Sequence, residues 1–315
     1  MRKKLVWAVL AILLVACMAV LPGCKAEPVD TGVEESEYSA EAGCRRTVLY
    51  YASDDGYMVP VMKRIPWEEG IGKAALSCLV NSEQNVAAAA AMGLRGVISE
   101  GTQLTLRINE GLAIVDLQEL GGFETALGEQ QMVTGIVNTL CEFPTVDAVK
   151  ILIDGEAGVK LEHGTAMPDA ASSYALNVQD AEVSVSTGSA YAMTVYFPNQ
   201  SASLNIPVTE QLAYRPEFED AVQRMIDGKE GLLGFPAGTS LLGASVEDGT
   251  AMVDLGVEFL AVEDTEGLAL ALYDALFLTA CEFDDVSALK LRVNGKAYEV
   301  DSAPVSAPLY INEFK

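Results

Sequence analysis

Two stretches of this chain repeat almost verbatim. Gly111-Leu-Ala-Ile-Val-Asp-Leu117 returns as Gly249-Thr-Ala-Met-Val-Asp-Leu255, and Thr139-Leu-Cys-Glu-Phe143 returns as Thr279-Ala-Cys-Glu-Phe283, at offsets of 138 and 140 residues. The chain is therefore a tandem duplication of one folding unit. Positions kept in both copies mark what that unit requires, and most of them are apolar, small or turn-forming.

The two copies check each other's secondary structure. Thr47-Val-Leu-Tyr-Tyr51 matches Thr194-Val-Tyr-Phe197 as an opening strand, and Val59-Pro-Val61 matches Ile206-Pro-Val208 in the next. A helix follows: Phe218, Ala221, Val222, Met225 and Ile226 fall on one face of a 3.6-residue period, with Ile71, Ala75, Cys78 and Leu79 in the first copy. A hairpin turns at Asn109-Glu-Gly111 and at Glu247-Asp-Gly249, where glycine supplies the positive φ of a tight turn. Its return strand points Ala113, Val115 and Leu117 inward, matched by Ala251, Val253 and Leu255. A second helix and a closing strand complete the unit. The order strand, strand, helix, hairpin, helix, strand predicts an α+β fold: two tandem small α/β sandwich domains, each a mixed sheet with two helices over one face.

The N-terminus has the layout of a secretory signal, with Arg2, Lys3 and Lys4 before an apolar run that ends at Leu21-Pro-Gly-Cys24. The Leu-x-Gly-Cys ending resembles a bacterial lipobox, which makes residues 1–23 a lipoprotein signal peptide and Cys24 the lipid attachment. Leu14-Val-Ala-Cys17 competes with it, but the segment stays apolar beyond Cys17. Residues 24–45 read as a flexible tether, 46–163 as the first domain, 164–190 as a linker, 191–301 as the second domain and 302–315 as a C-terminal tail. Within that tail, Leu309-Tyr-Ile-Asn312 is suited to docking back on a domain. Loss of residues 1–23 removes three positive charges and no negative ones, so a formal charge of -25 becomes -28. Such a surface repels nucleic acid and favours cationic partners or divalent ions, and it serves equally as a solubility device near a membrane.

Catalytic constellations are sparse. Asp116 and Asp254 occupy equivalent strands, and a catalytic reading pairs them with Glu142 and Glu282 as acid and base. A duplicated fold requirement, with the Asp accepting backbone hydrogen bonds at the strand end, is the more economical account. His163 is the single histidine, at the edge of the linker, with nothing nearby in sequence to orient it. There is no Cys-x-x-Cys pair, no phosphate loop and no calcium-loop pattern, so no metal, cofactor or enzyme activity is expected. Cys141 and Cys281 read as small buried hydrophobes, with a disulfide among Cys44, Cys78, Cys141 and Cys281 left open. The segment from Leu268 to Leu278 is apolar almost all round, with Asp274 its sole charge. It is either a fully buried helix or a partner interface through Leu268, Leu270, Leu272 and Leu278.

Taken together, the opening Tyr50-Tyr51 and Tyr196-Phe197 strands, Gly101-Thr102 and Gly238-Thr239, the Val-Asp-Leu strands and the Thr-x-Cys-Glu-Phe segments resemble the GerM domain, known from a sporulation and germination lipoprotein of spore-forming bacteria. The resemblance covers nearly all of the chain outside the signal, tether, linker and tail. It implies a ring-building-motif-like fold in a lipoprotein at the extracytoplasmic face of the cell membrane. It also implies work by assembly rather than chemistry, as a scaffold in sporulation or germination whose partners are envelope or transenvelope complex proteins or further copies of itself. The alternative is a module that binds peptidoglycan through sheet edges and tyrosines such as Tyr50, Tyr51 and Tyr196. A carboxylate-dependent envelope hydrolase stands third.

Overall fold

Strand-forming residues on both sides of a short turn open each repeat as an antiparallel hairpin. In the computed structural model, which describes residues 38–39, 43–66, 70–179, 191–308 and 310–314, β1 (Cys44–Ser53) pairs with β2 (Met58–Pro66), Tyr50 facing Pro60. Helices α1 (Ile71–Cys78) and α2 (Glu83–Ala90) follow, then a short β3 (Leu94–Arg95) on the free side of β1. The Ala-rich α2 is nucleated by Ser82, whose side chain accepts the Asn85 N–H.

The second half of the repeat is a hairpin followed by a helical crossover. β4 (Gln103–Asn109) turns into β5 (Leu112–Gln118) through Glu110 and Gly111, both at positive φ. α3 (Ala126–Cys141) then carries the chain to β6 (Ala148–Ile153), parallel to β5. The second repeat follows the same path: β7 (Tyr191–Pro198) and β8 (Asn205–Leu212), α4 (Phe218–Asp227), then β9 (Leu241–Glu247) and β10 (Thr250–Leu255). A 3-10 segment, Val257–Asp264, leads into α5 (Leu268–Cys281), β11 (Ala288–Val293) and an added edge, β12 (Lys296–Tyr298). Ala113, Val115 and Leu117, and Ala251, Val253 and Leu255, are buried as their alternation predicts.

The expected single sheet is divided in two. Each opening hairpin is separate from the mixed sheet of β4, β5 and β6, or of β9 to β12. The long helix explains the division. Tyr50 turns its N–H away from β2 to the Thr139 hydroxyl at 3.1 Å, and Tyr196 does the same with Thr279 at 3.0 Å. The helix therefore takes the place that a neighbouring strand would occupy.

The contacts group the chain into Met1–Tyr38 and a second unit, Ser39–Lys315, that holds both repeats. Within that unit residues 164 to 179 are packed chain: Ala171 exchanges backbone hydrogen bonds with Val149, and the Asn138 side chain brackets Tyr174. The expected signal, Cys24 and the Glu182-Val-Ser-Val-Ser186 segment lie outside the described residues.

Candidate functional site

The seam between the repeats is built by two asparagines in equivalent places. Asn177, after the first repeat, takes the Met58 N–H on Oδ1 at 2.7 Å and donates from Nδ2 to the carbonyls of Met58 and Pro207 at 2.9 and 2.6 Å. Asn312, after the second, takes the Asn205 N–H at 2.7 Å and donates to the carbonyls of Asn205 and Pro60 at 3.0 and 2.9 Å. Met58 and Asn205 open equivalent strands, and Pro60 and Pro207 are equivalent prolines. Each asparagine thus grips its own repeat and reaches the other.

Backbone follows side chain. The Thr209 N–H donates to Leu176 and the Gln179 N–H to Thr209, while the Met62 N–H donates to Asn312 and the Phe314 N–H to Met62. The trailing segment of each repeat lies along the second strand of the other. A proline is tolerated in these strands because its missing N–H falls on the edge away from the hairpin partner, where its carbonyl is free to accept.

The repeated Thr-x-Cys-Glu-Phe segments form a clamp on the opening tyrosines. Besides the threonine bond, Tyr50 donates its hydroxyl to Glu142 at 2.5 Å and Tyr196 donates to Glu282 at 2.6 Å. Burial first, and the carboxylate second, push both phenols above their ordinary range.

Asp116 and Asp254 answer to other elements. Each accepts a backbone N–H from the turn after the closing strand, Gly155 at 2.8 Å and Gly295 at 3.0 Å. The structure thus gives all four carboxylates structural hydrogen bonds on two different elements. His163 is exposed, with Nε2 at 2.8 Å from the Phe123 carbonyl. Its N–H and that of Thr165 bind the buried Glu129; burial raises that carboxyl's pKa, but these donations outweigh it and hold it below its ordinary value.

Among the leucines named as a candidate interface, Leu268, Leu272 and Leu278 are buried in the core and Leu270 is half-buried. They face the chain's own interior because α5 packs against β7 on one side and the 3-10 segment on another. The cysteines depart from expectation too: Cys141 is half-buried and Cys281 exposed, since each ends its helix just where the next residue turns to its tyrosine. Cys78, Cys141 and Cys281 are free thiols. Among the described residues no group of three or more His, Cys, Asp or Glu could hold a metal ion.

The seam was missed in the sequence, although Leu176-Asn177 and Ile311-Asn312 carry a readable echo of it. The sequence matches the family model described as Germane: Sporulation and spore germination, over residues 48–159 and 194–299. It is 26% identical over 284 residues to the spore germination protein GerM of Bacillus subtilis (strain 168), covering 84% of this chain and 77% of that protein. The solved tandem GerMN domains of the sporulation protein GerM from Bacillus subtilis align at a TM-score of 0.61 and 25% identity, covering 86% of this chain and 100% of that one.

Proposed function

This chain belongs to the Germane family of sporulation and spore germination proteins, and we propose that it works as a lipid-anchored, extracytoplasmic scaffold in an envelope assembly of sporulation or germination rather than as an enzyme. The observation that carries the reading is the seam. Motifs shared by the repeats go into clamping tyrosines, capping turns and joining the repeats, so the body is suited to presenting surfaces at fixed spacing. Anchoring rests on the Leu-x-Gly-Cys24 ending. No helix among the described residues is long and apolar enough to cross a membrane. The test is a crosslinked pull-down of tagged protein from native membranes across growth and sporulation. A stoichiometric set of envelope proteins supports the scaffold, and recovery of the protein alone or with glycan refutes it.

Tyr51 and Tyr196 are buried and Tyr50 is half-buried, so they do not offer the sugar-binding surface expected of them, and peptidoglycan binding as a second reading is favoured by a different feature. A cavity of about 640 Å³ combines Tyr191 and Phe283 with Arg215, Glu217, Ser245 and Asp284, a mixture of aromatic faces and hydrogen-bonding groups suited to sugars. Co-sedimentation with sacculi that Tyr191→Ala abolishes would move the assignment to this reading.

A further inference from the structure

The sole charge inside α5 has no counterpart in the first repeat. Counting from the shared threonines Thr139 and Thr279, Asp274 aligns with Thr134 of α3. Residues that both repeats share hold the fold; Asp274 is not shared, and Thr134 shows that the fold does not need it. Its Oδ1 is nonetheless buried with no hydrogen-bond partner. Asp274 as a whole is half-buried, and leaving one carboxylate oxygen dry and unpaired is costly, so a counter-charge from outside the chain would stabilise it.

Asp274 lines a cavity of about 340 Å³ bounded by α5, the turn between β7 and β8 at Ala202 and Ser203, and the tail at Asn312, Glu313 and Phe314. The equivalent cavity of the first repeat, about 410 Å³, carries Thr134 and Gln131 on its helix, has Lys229 in its wall and contains no carboxylate. The two cavities are related by the duplication and differ in charge.

We propose that the Asp274 cavity is a binding site for a basic side chain, the ammonium or guanidinium of a lysine or arginine on a partner protein. Asp274 is the counter-ion, Glu313 a second anionic acceptor and Ser203 a neutral one, which matches the several N–H donors of such a group. Two carboxylates are too few for a protein-caged divalent ion, which takes six or more oxygen ligands. The net charge of -25 draws cations toward the surface. Burial pushes the Asp274 carboxyl up to about 6, the state of a carboxylate that lacks its partner. The tail wall is set by Asn312, so the cavity is complete only when the tail is docked.

The inference deepens the scaffold reading by naming what a partner presents, and a small probe separates the two. The full chain is titrated with Nα-acetyl-lysine methylamide and, as the neutral match, Nα-acetyl-norleucine methylamide, while NMR shifts are followed at Ala271, the Asp274 carboxyl and Phe314. Saturable shifts with the lysine probe alone, absent at Thr134, are expected. Asp274→Thr installs the residue of the first repeat and should weaken binding by about tenfold or more while leaving the α3 resonances in place. Equal response to norleucine, undiminished binding in D274T, or stronger binding of calcium chloride would overturn the site. Pull-down partners retained by D274T would remove this site and leave the scaffold. Probe binding with no partner recovered would keep the site's chemistry but overturn both the scaffold and the protein source of the basic group.

Discussion

Asn312→Ala tests the seam directly. The side chain is buried and makes three hydrogen bonds, to the Asn205 N–H, the Asn205 carbonyl and the Pro60 carbonyl. Each such bond contributes about 0.5 to 1.5 kcal/mol net, and groups left without partners add desolvation cost, so the loss should be about 2 to 4 kcal/mol. For a body of this size that corresponds to a fall of about 3 to 7 °C in melting temperature. Calorimetry of the full chain supplies the assay. The parent should unfold in one transition, because each trailing segment is hydrogen-bonded to the other repeat. Asn177→Ala should cost a similar amount, since Asn177 makes the equivalent three bonds. The double variant should separate into two transitions, one for each repeat. If Asn312→Ala melts within about 1 °C of the parent, or the double variant still unfolds as one unit, the asparagines do not couple the repeats and the argument from the seam fails.

Thr279→Val removes the acceptor of the buried Tyr196 N–H and should cost about 1 to 3 kcal/mol, read from urea unfolding. Tyr50 and Tyr196, whose folded pKa values lie above the ordinary 10.0, should yield no tyrosinate absorbance until the protein unfolds in alkali. Their contribution to stability is complete below the unfolded pKa and is lost as pH rises above it. Asp274 has the same sign in a lower pH window. Its folded pKa, raised from 3.8 to about 6, makes stability fall as pH climbs through that window, because the folded state binds the extra proton. Asp274→Asn should therefore stabilise at neutral pH by about 1 to 2 kcal/mol, less than the roughly 3 kcal/mol of the full shift because the half-buried group is partly screened. The gain should vanish in denaturant titrations run below both pKa values. Asp254→Asn should lower stability modestly through the Gly295 N–H and leave assembly intact, measured by melting and by pull-down.

What could be read in the sequence was whatever the fold repeats locally. The turn at Glu110 and Gly111, echoed by Asp248 and Gly249 at positive φ, was legible because a two-residue hairpin leaves few residue choices. Inward strand residues followed from period-two alternation, and α4 from its 3.6-residue face. The shared Thr and Glu of the clamp were visible as a motif, but their role was not: Tyr50 and Glu142 are 92 positions apart, and a tyrosine next to apolar residues carries no sign of its partner. The all-apolar α5 was ambiguous for a related reason, since core and interface use the same side chains. Only the placement of the 3-10 segment and β7 around it buries Leu268, Leu272 and Leu278. The seam was hidden by composition. Its asparagines bind main-chain groups, which every residue possesses, so no complementary side chain marks the other half of the bond. Residues 164 to 179 and 310 to 314 therefore look like linker and tail while carrying the hydrogen bonds that make two repeats one body.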